Sequence, residues 1–100
     1  MKAIVNGTIL AEAPKDRLLS IEGNWYFPPD SVNFSCLEKS ATPYTCAWKG
    51  ACQYFSVKIG ENVLKDRAWS YPTILPSAVT RVGADFSNYV AFWKEVAVME

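Results

Sequence analysis

The sequence contains no histidine. That absence removes the Ser-His-Asp triad, the Cys-His dyad, histidine-ligated zinc and the usual general base near neutral pH. Any catalysis falls to carboxylates, lysine, tyrosine or a thiol. No glycine-rich nucleotide-phosphate loop occurs, neither GxGxxG nor GxxxxGK followed by Ser or Thr. Cysteine is sparse: Cys36, Cys46 and Cys52 make an odd number with no CxxC pair, so neither a disulfide framework nor a structural zinc site is expected. No metal or cofactor is expected either. No apolar run approaches the roughly 20 residues that span a bilayer, and Met1 to Gly7 lacks the apolar core of a signal peptide. Ten basic residues cancel ten acidic ones. That balance supplies no field to attract nucleic acid or an anionic membrane. These absences together point to a reducing, cytoplasmic setting.

What is present is apolar and aromatic. Half of the 100 residues are hydrophobic and 14% are aromatic, a composition that folds. The length suits one domain over residues 1–100, with roughly two thirds of the unfolded surface removed from water. Ala3-Ile4-Val5 and Thr8-Ile9-Leu10 flank Asn6-Gly7, a strong two-residue hairpin signal. Ala11 to Arg17 reads as a loop, and Leu18 to Ile21 as a short strand ending at Gly23-Asn24. Pro28-Pro29 sends the chain into an extended path. Asp30 or Ser31 then caps a short helical turn, with Val32, Leu37 and Phe34 as inward candidates. Glu38 to Pro43 reads as a loop.

Tyr44 to Ile59 is strand-like, interrupted at Lys49-Gly50. Beyond the glycine the period is two, with Phe55, Val57 and Ile59 on the likelier core face. Gly60-Glu61-Asn62 is a hairpin turn, Val63-Leu64 starts the return, and Lys65-Asp66-Arg67 reads as a charged surface loop. Ala68 to Tyr71 is a further strand, stopped by Pro72. Thr73 to Gly83 shows no clear period, and Asp85 to Asn88 suits a single turn. Tyr89 to Val98 reads as one long central strand, apolar on both faces, with a helix over Asn88 to Met99 as its competitor. The sum is a small, mainly β domain of antiparallel strands with little helix.

Four blocks carry a resemblance. Glu22 to Pro29 (EGNWYFPP), Thr45 to Gly50 (TCAWKG), Ala68 to Pro72 (AWSYP) and Tyr89 to Trp93 (YVAFW) resemble, in order and spacing, the family called domain of unknown function 427. The blocks reach across nearly the whole chain, and TCxWKG matches at every fixed position; where Trp25 stands, the family often has histidine. The resemblance implies small coiled antiparallel sheets meeting at an angle, the β-tent or Mss4-like fold. Relatives with that fold typically carry two CxxC zinc knuckles, which this chain lacks, so no zinc is carried over. Some plant members are labelled nucleotidyltransferases, but no paired metal-binding aspartates and no phosphate loop support that label here.

Two kinds of side chain stand out as functional candidates. Cys46 is the candidate catalytic residue, a thiolate activated by Lys49 or by the amides of the Trp48-Lys49-Gly50 turn. The alternative is a small thiol that fills its pocket, which is also the reading for Cys36 and Cys52. Tyr26, Trp48, Trp69, Tyr71 and Trp93 combine apolar area with a polar tip, which suits the wall of a ligand pocket; filling a thin core is the competing role. Lys49 is the last of the ligand-binding set, anchoring an anionic ligand or a carboxylate such as Glu22, or else solvated on its turn. Gly50 is expected to need a conformation that a β-carbon forbids, and Asn24 to close a turn. The leading expectation is a non-catalytic domain binding a small molecule or peptide in an aromatic-lined groove, with Cys46, Trp48, Lys49, Trp69 and Tyr71 around it. An enzyme or redox sensor using Cys46 is the second reading. A protein-interaction module is the third, in a monomer or weak homo-oligomer.

Overall fold

Asn6 and Gly7 both take positive φ, 48° and 75°, the backbone that a tight two-residue hairpin demands. They join β1 (Lys2–Val5) to β2 (Thr8–Glu12) in the computed structural model, which describes residues 1–100. The stretch read as a loop from Ala11 begins two residues later, because Ala11 and Glu12 still pair with β1. A second hairpin follows, β3 (Leu19–Ile21) and β4 (Asn24–Tyr26), turned by Glu22 at φ 53° and Gly23 at φ 81°. Pro28 and Pro29 end regular pairing only after Tyr26, so Trp25 and Tyr26 sit in a strand rather than on an extended lead. Single 3-10 turns at Pro29–Ser31 and Phe34–Cys36 come next. Neither turn has a side-chain cap at its start. Instead Asp30 pairs with Arg17 at 2.9 Å, and the Ser31 hydroxyl donates to the Pro28 carbonyl at 2.7 Å. Val32 and Leu37 pack against the core, while Phe34 stays 43% exposed.

The predicted loop from Glu38 gives way to an edge strand, β5 (Leu37–Lys39). Its partner is β8, reached through a small ribbon of β6 (Thr45–Cys46) and β7 (Gly50–Ala51). β8 (Gln53–Ile59) turns back at Gly60-Glu61 into β9 (Asn62–Ser70). Lys65-Asp66-Arg67 is not a loop. It is a bulge inside β9: Phe55 faces Ala68 and Val57 faces Leu64, so three residues stand where the partner has only Ser56. Asp66 takes φ 57° at its centre.

The region without a legible period holds the one α-helix, α1 (Pro76–Val82). Proline opens it, and Gly83 closes it in the left-handed conformation at φ 85°. Two turns are too short to display a 3.6-residue period. The predicted final strand is two strands. β10 (Val90–Phe92) pairs with β9, and β11 (Ala97–Met99) pairs with β1. Between them a turn folds through Lys94 at φ 59°. Both are edge strands, so the expected central position is corrected; neither segment is helical.

The sheets are therefore β11-β1-β2 and β10-β9-β8-β5, with the two ribbons set beside them. Phe27 ties the β3-β4 hairpin to β10 through paired backbone bonds with Val90, 2.8 and 2.9 Å. Alternation along the four-stranded sheet divides the interior in two. Phe55, Val57, Ala68, Val90 and Phe92 face a first cluster shared with Ala3, Val5 and Leu10. Trp69 and Ala91 face a second, with Tyr26, Tyr71, Ala78 and Phe86. Tyr26 and Phe27, adjacent in sequence, enter opposite clusters. The radius of gyration, 12.9 Å, is that of one globule, about 13 Å for 100 residues. No helix is long and apolar enough to cross a membrane.

Candidate functional site

β8 and β9 pair Tyr54 directly with Trp69, and β10 sets small Ala91 on the other flank of Trp69. Tyr26 reaches the same place from β4. Its hydroxyl accepts a hydrogen bond from Trp69 Nε1 at 3.0 Å, and the two rings meet edge to face at 6.2 Å. Trp93, just past β10, packs against Trp69 at 5.2 Å and stacks on Tyr54 at 6.4 Å with a 22° tilt. The bulge fixes that last ring: Trp93 Nε1 donates to the Asp66 carbonyl at 2.7 Å. Asp66 Oδ2 accepts from the Thr42 hydroxyl at 2.6 Å, which ties the bulge to the segment ahead of Tyr44.

These rings enclose a hollow of about 180 Å³, open on one side and walled by Tyr26, Tyr44, Tyr54, Trp69, Tyr71 and Trp93. Asn24 and Lys49 complete it. A wider recess of about 470 Å³ adjoins it, sharing Tyr44, Tyr54 and Trp93 and continuing over Lys65, Asp66, Arg67 and Lys94.

Lys49 is held by its own turn. Gly50 takes φ 122°, and a β-carbon there would lie 2.9 Å from the Thr73 carbonyl, closer than a β-carbon approaches another heavy atom. Only glycine lets the two backbones meet, and the Lys49 carbonyl then accepts from the Leu75 amide at 3.0 Å. The result is a lysine only 5% exposed. Its ammonium pairs with Glu22 at the tip of the second hairpin and lies 4.7 Å from the centre of the Trp48 ring and 5.3 Å from that of Tyr71. The hydrogen bond from Lys49 holds the Glu22 carboxyl below its ordinary range. Burial pushes the Tyr26 phenol up to about 12 and raises that of Tyr71 as well. Both phenols stay neutral donors at physiological pH.

Of the residues singled out from sequence, Tyr26, Lys49, Trp69, Tyr71 and Trp93 surround the hollow. Trp48 and Cys46 do not. Trp48 turns to the other side of Lys49, against Phe86 at 6.5 Å and under the Arg81 guanidinium at 4.2 Å. Cys46 is buried in the second cluster, its backbone paired with Gly50. The turn that carries both closes tightly on Thr73, with Cys46 buried and Trp48 half-buried beside Phe86. Cys52 is half-buried, and burial raises its thiol to about 11.

Three lining residues were missed. Tyr54 had a signal: it stands on the face of β8 opposite Phe55 and Val57, so an aromatic there needed its own cover. Asn24 lines the hollow rather than only closing a turn, because β4 carries it alongside Tyr26. Tyr44 precedes a two-residue strand and had no periodic signal.

A family model described as a domain of unknown function (DUF427) matches residues 1–100. No curated protein matches the chain. The chain belongs to the DUF427 family.

Proposed function

We propose that this member of the DUF427 family is a binding module. Its aromatic hollow receives one ring of a small molecule, or one side chain of a peptide, and no covalent chemistry takes place. The observation that carries this reading is the meeting of six aromatic rings with Lys49 and Asn24 around an open space. Tyr and Trp offer large rigid area with polar tips, the usual wall of a specific pocket. The space suits a single ring: a cavity of about 150 Å³ is enough for benzene. Tyr26, Lys49, Trp69, Tyr71 and Trp93 are the contact residues. Cys46 has no place in this reading, since it is buried away from the opening and no histidine exists to activate it.

Several finer assignments belong with this proposal. Two small sheets with accessory ribbons fit the β-tent or Mss4-like description. Three free cysteines suit a reducing compartment and therefore the cytoplasm. The chain acts as a monomer or weak homo-oligomer, without nucleic acid or membrane partners, in keeping with its balanced charge.

A thermal-shift screen with ring-bearing fragments tests the reading. A ligand at 100 times its dissociation constant adds about 2.7 kcal/mol of stability. Trp93→Ala, at the exposed rim, is expected to abolish that gain with the fold intact. Fragments that stabilise Trp93→Ala as well as the natural chain would refute the site.

A further inference from the structure

Lys49 is the one charged group in the wall of the hollow. It is 5% exposed, yet its ammonium donates a single hydrogen bond, to Glu22. An ammonium has three donors. The remaining two have no protein oxygen and lie among the rings of Trp48 and Tyr71. Glu22 itself is not part of the wall, and its side chain remains 54% exposed. The countercharge sits outside the wall while the buried lysine is part of it.

The other polar tips in the wall also lean toward donation. The Tyr26 hydroxyl already accepts from Trp69, which leaves its own proton to give. Asn24 offers an amide that can turn either way. Beyond the rim, the adjoining recess carries Lys65, Arg67 and Lys94 against one carboxylate, Asp66, whose Oδ2 accepts from Thr42 while its buried Oδ1 has no partner. Arg67 is occupied by Glu95 at 2.6 Å, which leaves Lys65 and Lys94 to set the field at the entrance.

An aromatic box usually invites a cationic guest. Here a lysine already stands in the wall of the box, its ammonium beside the Tyr71 ring. A second positive charge would meet Lys49 between aromatic walls, where like charges are screened less than in bulk water. A planar group with an acceptor edge meets the opposite situation.

We propose that the hollow takes a flat ring bearing a carboxylate, with the ring against Trp69 and Trp93 and the carboxylate on Lys49, displacing Glu22 toward solvent. This rests on the binding reading above and assigns its ligand class. Glu22 acts as a built-in stand-in for the ligand's carboxylate, competing from the hairpin tip.

Three one-ring probes separate the possibilities: benzoate, its neutral counterpart benzamide, and phenyltrimethylammonium. Each is titrated at low salt while the indole N–H signals of Trp69 and Trp93 are followed by NMR. Benzoate is expected to bind about tenfold more tightly than benzamide, with phenyltrimethylammonium weakest. Glu22→Gln removes the competing charge and should tighten benzoate further relative to benzamide; the amide oxygen it introduces can still accept from Lys49, and a thermal melt of the variant checks that the fold stands. Lys49→Met should erase the preference for benzoate. Benzoate no tighter than benzamide, in the natural chain and in Glu22→Gln alike, overturns the proposal, as does tightest binding of phenyltrimethylammonium. Either result leaves the hollow standing as a binding site. Failure of all three probes to move the Trp69 and Trp93 signals overturns the binding reading as well.

Discussion

Gly50 decides where Lys49 goes, and two substitutions isolate how single residues build the site. At φ 122°, and with the Thr73 carbonyl 2.9 Å from the place of a β-carbon, Gly50→Ala combines backbone strain with a clash. The expected cost is about 2–4 kcal/mol. Denaturant unfolding measures it, and a cost within 0.5 kcal/mol of zero, roughly the scatter of neutral surface changes, would contradict the geometry. Tyr26→Phe removes the acceptor of a buried indole N–H. An orphaned donor of that kind costs about 1–3 kcal/mol, and the loss should disappear when Trp69 is replaced by Phe as well. A double-mutant cycle on stability reads that coupling directly.

Among the elements, those specified by local chemistry could be read from the sequence. Asn6-Gly7 is a turn because both residues tolerate positive φ, the turn after β8 is set by Gly60 at φ 59°, and β8 is visible because its core-facing residues alternate. The elements specified by distant partners could not be read so. Asp66 and Lys94 take φ 57° and 59° without being glycine. Their conformations are imposed by the Thr42 and Trp93 hydrogen bonds in one case and by the two separate sheets in the other. Hence the bulge looked like a loop and the broken final segment looked like one strand. The apolar character of both its faces was informative but differently caused: β10 lies between two clusters although it is an edge strand. The same division explains the site. Trp69, Tyr71 and Trp93 fall on the hollow side by alternation, whereas Phe92 enters the first cluster and Trp48 and Cys46 lie away from the opening. Lys94 offers a direct test, since relieving its left-handed backbone with Lys94→Gly should stabilise the chain by about 0.5–1 kcal/mol. A rise in Tm of a few degrees is the expected reading.

At the scale of the whole molecule, the second cluster should set both stability and alkaline tolerance. Phe86 is fully buried and touches Tyr26, Trp48 and Tyr71 with its ring. Phe86→Ala is therefore expected to cost about 3–5 kcal/mol, enough to threaten a domain of this size. The cluster also contains groups that resist ionisation. Cys52 rises from 9.0 to about 11, and Tyr26 from 10.0 to about 12, each chiefly because burial disfavours the charged form. A folded state that holds its protons more tightly than the unfolded chain keeps their full contribution below the unfolded values. It loses that contribution as pH climbs toward the folded ones. Stability should thus hold to about pH 9 and decline progressively to pH 12. Cys52→Ala should delay the onset of the decline. Thermal melts across that range would show the step, and a curve indifferent to Cys52 would count against its burial as the cause.

The sheet that separates the two clusters has one more implication. Its strands give alternate side chains to each, and no residue belongs to both. A library randomised at Asn24, Tyr44, Tyr54 and Trp93 would reshape the hollow while leaving every residue of the first cluster unchanged. The chain is in this sense a natural display scaffold: the buried residues of both clusters keep the molecule folded, while the exposed rim of the hollow is free to vary.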